Sequence, residues 1–362
     1  MAATWLRGDF HAHTLHSDGV LTPAEFLKEA DREELDFFAI TDHNTWTFPE
    51  FDTPTALTII AGVEVTMEYG HFNVFAEDGD EPDWIRELPQ PWPLRDPDAS
   101  PGGSKELLER INKSGLRSSI NHPMLYPWEW LDDSTTLDDV RYVEVWNDPA
   151  WPENQVANPA ALAMWSRWLN AGSRATALGG SDFHTPRAVD RGDGWIVDGH
   201  RVGLPRTYVL AERNNPGAIL AAVDARRAYV TMGPTIDVRG VVDELGFGIG
   251  DDIGRVDATV ALEASVAGGS RLAIEVVRDG VVVASASGNG GAGIEHREPV
   301  DAHEDGWMRI DVRDDTSGQV VAFTNPVFFG SGNSSKLEFG DFVEETGWDL
   351  ISTFARERRP PS

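Results

Sequence analysis

The chain predicts a β/α barrel followed by a β-sandwich, and three observations carry that expectation. Over residues 1–212, short apolar runs alternate with capped amphipathic segments, the pattern of parallel strands joined by helices. The polar residues of chemical interest fall at the C-terminal ends of those runs: His11 and His13, Asp42 and His43, Glu64, His122, Asp182 and His184. A β/α barrel gathers its strand ends at one face, whereas an open sheet would bring fewer of them to one point. Residues 235–330 instead alternate with period two between Gly/Asp turns, as sandwich strands do.

Each element follows from local chemistry. "TWLRGDF" is a strand that runs into the turn "HAHTLHSDG". "TPAEFLKEADREEL" is a helix with Thr22 as N-cap, Pro23 at the first helical position and Glu25 closing a capping box. "DFFAITDH", "ALTIIAGVEVT" and "GHFNVFAE" are apolar runs of strand length. "SKELLERINKSG" is a helix with Ser104 as cap and Gly115 as stop, and "RSSINHP" and "VRYVEVWND" are strands. "NPAALAMWSRWLNAG" is a helix capped by Asn158 and opened by Pro159, and "RATALGGSDFH" is the strand after it. One more helix, capped by Asn215 before Pro216, precedes the change of pattern at "TMGP". Beyond it "RDG" and "DDTSG" are hairpin turns, and the composition of "SGNGGAGIEHREP" predicts a loop. The expected division is 1–234 for the barrel, 235–330 for the sandwich and 331–362 for an extension without a clear pattern.

Composition narrows the chemistry. The 362 residues contain no cysteine, which excludes disulfides, thiolate-bound zinc and thiol nucleophiles. Any soft metal ligand is therefore histidine, and the hard ones are carboxylates. A formal charge of −30 opposes nucleic acid and anionic membranes. The first residues lack a basic segment followed by an apolar one, and no apolar run approaches the ~18 residues of a membrane span. The expectation is a soluble cytoplasmic chain with a small-molecule substrate, open to homo-oligomer formation.

The stretch "GDFHAHTLHSDG" holds three of the chain's ten histidines. His11 and His13 are alternate strand residues and share a face. Asp18 in the following turn adds an oxygen donor, or simply makes an Asx turn. His16 lies between them and reads as a loop residue. Glu64 sits inside an apolar strand, where an unpaired carboxylate is costly and a metal ion offsets the cost. His122 ends a further strand, and Asp182 with His184 ends another. Each has a bland structural explanation alone; together at one rim they point to a metal centre.

The motifs "RGDFHAHTLHSDG", "DFFAITDHN", "AGVEV", "NHP" and "GGSDFH" resemble, in order, those of the PHP (polymerase and histidinol phosphatase) superfamily of metallohydrolases. More narrowly they are similar to its CehA/McbA-type branch, as are "LPRTYVLAE", "ILAAVDARRAYVTMGP" and "AFTNPVFF". The resemblance implies a distorted seven-stranded barrel holding two or three divalent ions of Mn, Fe or Zn. It implies that His11, His13 and Asp182 hold one ion. Glu64 then bridges to a second, which His122 also holds, and Asp18, His43 and His184 serve the outer position. Asn73 stands where the phosphatase members carry another histidine; His71, two residues earlier, can reach the cluster or face the substrate. Glu144 and Asn147 can orient a ligand or touch substrate, and Arg187 is the best-placed cation for an anionic group. The tryptophans at 128, 130 and 146 wall the pocket or belong to the core. The implied reaction is hydrolysis of a phosphoester, with Glu64, Asp182 and His184 in the catalytic group. Carbamate or aryl-ester hydrolysis and a non-catalytic metal-stabilised binding module are the alternatives.

Overall fold

Three parallel neighbours open the sheet: β1 (Thr4–Asp9), β2 (Phe37–Ala39) and β3 (Thr58–Met67). These belong to a computed structural model that describes residues 2–51, 55–67, 69–88, 103–186, 189–190, 196–197, 200–332 and 337–342. Helix α1 (Pro23–Arg32) joins β1 to β2 and has the expected capping box, with Thr22 accepting from the Glu25 N–H while Glu25 accepts from that of Thr22. Its buried Phe26 and Ala30 pack beneath Phe38 and Phe183.

β4 (Gly70–Ala76) departs from the parallel pattern. A tight turn makes it antiparallel to β3, and Glu64 pairs with Asn73 while Thr66 pairs with His71. The reversal places the beginning of β4, and so His71, at the same end of the sheet as the C-terminus of β3. Helix α2 (Gly103–Lys113) then leads to β5 (Arg117–Ile120), antiparallel to β4, and parallel pairing resumes through β6 (Tyr142–Trp146) and β7 (Thr176–Gly179). Helix α2 begins one residue before its expected cap, because the Ser104 hydroxyl is drawn to Asp132. Helix α3 (Asn154–Asn170) begins earlier than expected and carries Pro159 inside it. Asn158 does not cap it; its side chain clamps both backbone polar groups of Asn147, at 3.0 and 2.7 Å.

The expected barrel is not closed by its backbone ladder: among the described residues β7 pairs with β6 alone, and β1 pairs on its other side with β10 (Arg206–Ala211). The sheet curls nonetheless. The Thr207 hydroxyl of β10 accepts from the Gly179 N–H and donates to the Gly179 carbonyl of β7, at 2.9 and 2.8 Å. Just past the strand ends, Ala12 and Phe183 form an isolated parallel bridge. A short ribbon, β8 (Val189–Asp190) with β9 (Ile196–Val197), lies between β7 and β10. The protein is a mixed α/β structure.

The C-terminal strands are not a separate hydrogen-bonded unit either. After helix α4 (Pro216–Asp224), capped by Asn215 as expected, β11 (Ala228–Thr231) pairs with β10 on one side. The strands that follow are β12 (Thr235–Val242), β13 (Leu245–Phe247), β14 (Ala258–Arg278), β15 (Val281–Val300), β16 (Gly306–Asp314), β17 (Val320–Thr324) and β18 (Val327–Phe329). On its other side β11 pairs with β17, so one 16-stranded sheet runs through both parts, with β15 and β18 branching from its path at β14 and β16. β14 pairs with β12 in its first half and with β16 in its second, with a register break between Ala267 and Arg271. The expected hairpin at "RDG" is present, with Asp279 and Gly280 at positive φ. "SGNGGAGIEHREP", expected as a loop, is strand throughout because β14 supplies its partners: pairing overrides a composition that alone favours turns. Trp307, Phe323 and Phe328 of this region enter the same core as Trp146 and Trp165. Among the described residues, no helix is long and apolar enough to cross a membrane.

Candidate metal centre

The histidines and carboxylates meet where the ends of β1, β3, β6 and β7 converge. His11 and His13 follow β1, and both are fully buried. His11 Nε2 lies 3.3 Å from Glu64 Oε2 and 3.2 Å from Asp182 Oδ1. His13 Nε2 lies 3.3 and 3.0 Å from the same two oxygens. Two ligands about 2.1 Å from a common ion stand roughly 3.0–3.4 Å apart, so these spacings are those of donors around one ion. His11 Nε2 and Glu64 Oε2 are buried without a hydrogen-bond partner, as atoms reserved for an ion are.

Two further groups adjoin this one. Asp18 Oδ1 lies 3.1 Å from His184 Nε2, 3.6 Å from His43 Nε2 and 3.9 Å from His13 Nδ1. Glu64 also gathers His43 Nδ1 on Oε2 at 2.9 Å and His71 Nδ1 on Oε1 at 3.1 Å. Among the described residues, three groups have donor atoms close enough to share an ion: His11/His13/Glu64/Asp182, His13/Asp18/His43/His184 and His43/Glu64/His71. His122 stands outside all three, with Nε2 3.5 Å from Glu64 Oε1. The chemistry of the set suits divalent ions, and the residues present fit them.

The surrounding polar groups explain how the donors are aimed. Glu144 accepts from His11 Nδ1 at 3.0 Å, which fixes the proton on that nitrogen and leaves Nε2 free. The same carboxylate accepts the His122 N–H and the Asn147 amide, each at 3.0 Å. Asn147 is buried, and its amide also faces Asp182 Oδ2 at 3.4 Å. Asp42 accepts from Thr14, Ser17 and Thr47 and so shapes the turn after His13. Asp9 ties the end of β1 to Ser181 and Gly203. Gly180 must lack a side chain, because a Cβ there would lie 2.4 Å from both Glu144 Oε1 and the His11 Cβ. His122 and Asp182 adopt positive φ values of 27° and 47°, rare for such residues and characteristic of functional turns.

Electrostatics sort the donors into charged and neutral. Burial disfavours every charge here, yet His11 and His43 hold Glu64 well below the usual carboxylate range, and His11 and His184 do the same for Asp182. Burial opposes the imidazolium of His11 too, but Asp182 and Glu64 raise its pKa well above the ordinary value. His184 is likewise raised, to about 9, by Asp18 and Asp182 against the burial that would lower it. Burial lowers His13 and His71 to about 4, so both are neutral and ready to ligate.

The structure brings together His11, His13, Asp18, His43, Glu64, His71, Asp182 and His184, with His122 at the border. His16 is exposed and outside every set, as expected. Asn73 turns away: its amide donates to the Phe10 carbonyl at 3.1 Å. Trp130 and Trp146 are core residues, and Trp128 packs on Trp151. Arg187 lies outside the described residues. Sequence reasoning missed the supporting Asp9, Asn121, Asp148 and His200. Asn121 donates to Glu64 Oε1 at 2.8 Å and neighbours His122 in sequence, so adjacency could have flagged it. His200 sits in a segment with no ligand-like pattern.

No family model matches the chain. Curated relatives are the tryptophan synthase alpha chains of Mycobacterium bovis and Mycobacterium tuberculosis, 28% identical over 144 residues, or 36% of this chain and 53% of theirs. The chain thus spans about half the length of the curated relatives it matches. Among solved structures it is similar to a two-domain protein containing a predicted PHP-like metal-dependent phosphoesterase from Bacteroides vulgatus. That likeness has 19% identity and a TM-score of 0.46, over 90% of this chain and 96% of that one. An amidohydrolase from Chromobacterium violaceum is 18% identical with a TM-score of 0.33, over 53% of this chain and 91% of that one. None of these likenesses establishes a family, and the functional reading rests on the donor groups themselves.

Proposed function

We propose that the chain is a PHP-type metal-dependent hydrolase acting on a small-molecule phosphoester, mono- or diester. The carrying observation is the convergence of four donor atoms, from His11, His13, Glu64 and Asp182, within 3.0–3.3 Å across the histidine–carboxylate pairs. These residues hold an inner ion. A neutral imidazole offers one lone pair, so His13 is spent there and an outer ion falls to Asp18, His43 and His184. A third position at Glu64 Oε1, His71 and His122 competes with the Asn121 amide, which already donates to that oxygen.

Divalent ions bound there lower the pKa of water towards neutrality and stabilise negative charge developing on the ester. Glu144 keeps His11 oriented, and Asn147 steadies the Asp182 carboxylate. Asp182 and His184 are 18% and 17% exposed in their side chains, against 1% for Glu64, so a substrate meets them first. Asp182 takes the proton of the attacking water, and His184 orients the bound group. Two divalent ions add about four positive charges against the carboxylates of Asp18, Glu64 and Asp182, which leaves the centre attractive to a phosphate. The donors all come from residues 1–234, with the C-terminal strands supporting the fold.

A second reading, hydrolysis of a carbamate or aryl ester, follows from the resemblance of the sequence motifs to the CehA/McbA-type branch. Turnover of p-nitrophenyl phosphate, bis(p-nitrophenyl) phosphate and an aryl carbamate with added Mn²⁺ separates the readings. Phosphoester turnover is expected. Carbamate turnover alone favours the second reading, and Mn²⁺ binding without any turnover indicates a non-catalytic module.

A further inference from the structure

Two buried groups beside the donor sets are unused in the account above: His200, following the β8–β9 ribbon, and Asp148, just past β6. His200 touches the turn that carries Asp182 and His184, and Asp148 faces His200. The Asp182 carbonyl, on a residue with φ of 47°, lies 2.6 Å from His184 Nδ1 and 3.1 Å from His200 Nδ1. A carbonyl only accepts, so each ring carries its proton on Nδ1. For His184 this directs Nε2, 3.1 Å from Asp18 Oδ1, into the outer set.

His200 is itself held from behind. Its N–H donates to the Thr185 carbonyl at 2.8 Å, and its Nε2 faces Asp148 Oδ2 at 3.4 Å. Asp148 Oδ1 accepts the Ala150 N–H at 2.8 Å, and the Asp148 carbonyl accepts the Asn154 amide at 2.8 Å. The ring therefore wedges the loop after β6 against the loop after β7.

We infer that His200 is a positioning residue whose ring N–H on the Asp182 carbonyl holds the 182–184 turn so that Asp182 and His184 present their donor atoms together. The inference rests on the metal-centre reading above. It extends that centre by a residue that neither ligates nor touches substrate.

The test is Mn²⁺ affinity, measured by competition with a chromophoric chelator. His200→Leu should weaken binding by about 10–100-fold, the usual effect of losing a partner behind a ligand. His200→Asn, whose amide can place an N–H where Nδ1 stood, should recover most of it. A merely structural role would not separate the two variants. The tautomer is read independently in the unsubstituted, metal-free protein by ¹⁵N–¹H correlation of the rings, with Nδ1–H expected for His200. Undiminished affinity in His200→Leu, equal losses in the two variants, or an Nε2–H tautomer of His200 overturns the inference. If the unsubstituted chain binds no Mn²⁺, the metal centre fails and this inference with it. If it binds and His200→Leu binds equally well, only this inference fails.

Discussion

Replacing Glu64 by glutamine changes one atom and tests the whole centre. Glu64 Oε2 faces His11, His13 and His43 at 2.9–3.3 Å, while Oε1 accepts from the Asn121 amide at 2.8 Å. A glutamine must give its carbonyl oxygen to Asn121, because two amide donors cannot face each other. Its NH₂ then points at the lone pairs of His11 and His13, where the carboxylate oxygen had been a ligand. The inner ion loses an anionic donor and gains a repelling one. Its affinity should fall by more than about 100-fold, beyond the loss seen for partners behind a ligand. An ion present at about 1,000 times its Kd stabilises the fold by ~4.1 kcal/mol, and at about 10 times by ~1.4 kcal/mol. Metal-dependent stabilisation should therefore shrink by ~2.7 kcal/mol, read by denaturant unfolding with and without Mn²⁺. Elemental analysis should show at least one ion fewer per chain, and hydrolysis should be abolished. Unchanged ion content together with unchanged metal-dependent stability would remove Glu64 from the centre.

Other substitutions and conditions probe different parts of the argument. His11→Ala and His13→Ala should each lose metal and lower turnover by orders of magnitude, whereas His16→Ala, on an exposed residue, should keep its metal; metal loss in His16→Ala would show that the turn has been misread. With no ion bound, His11, His43 and His184 are all raised above the ordinary imidazole value by the carboxylates beside them, His184 to about 9, so an incoming ion must displace protons. Binding should release protons, with affinity rising as pH climbs towards 9; calorimetry in buffers of different ionisation enthalpy counts them, and zero release contradicts the proposed ligands. Asn325 donates to the carbonyls of Ala177 and Ala228 and accepts from the Ala177 N–H, so Asn325→Ala should cost about 1–3 kcal/mol in stability without changing the ligands. A chain ending at Pro234 loses the β17 partner of β11 and uncovers the core around Trp146, so it should be aggregation-prone in light scattering; a soluble truncation with unaltered thermal stability would contradict that packing.

Much of this centre was legible in the sequence because its donors follow simple local rules. His11 and His13 lie just past the end of β1 rather than on it, yet their alternation still aims both rings at the same oxygens, and a carboxylate at Glu64 in an apolar strand needs a partner wherever the strand lies. The cap of α1 and the turns at "RDG" and "DDTSG" are equally local, since a few side chains and φ angles decide them. The tertiary structure alone decided what depends on distant partners. His71 joins Glu64, and Asn73 does not, because β4 turns back antiparallel on β3. Asn158 clamps Asn147 instead of capping its helix, and the Gly-rich "SGNGGAGIEHREP" becomes strand once β14 lies beside it. His200 reaches Asp182 across eighteen residues of chain, through a hydrogen bond that no spacing rule foretells. The sheet itself stays unclosed between β7 and β10 because a threonine hydroxyl, rather than a run of backbone hydrogen bonds, bridges the gap. Propensity and period act within a few residues; the identity of a neighbour across the sheet is fixed only when the chain has packed.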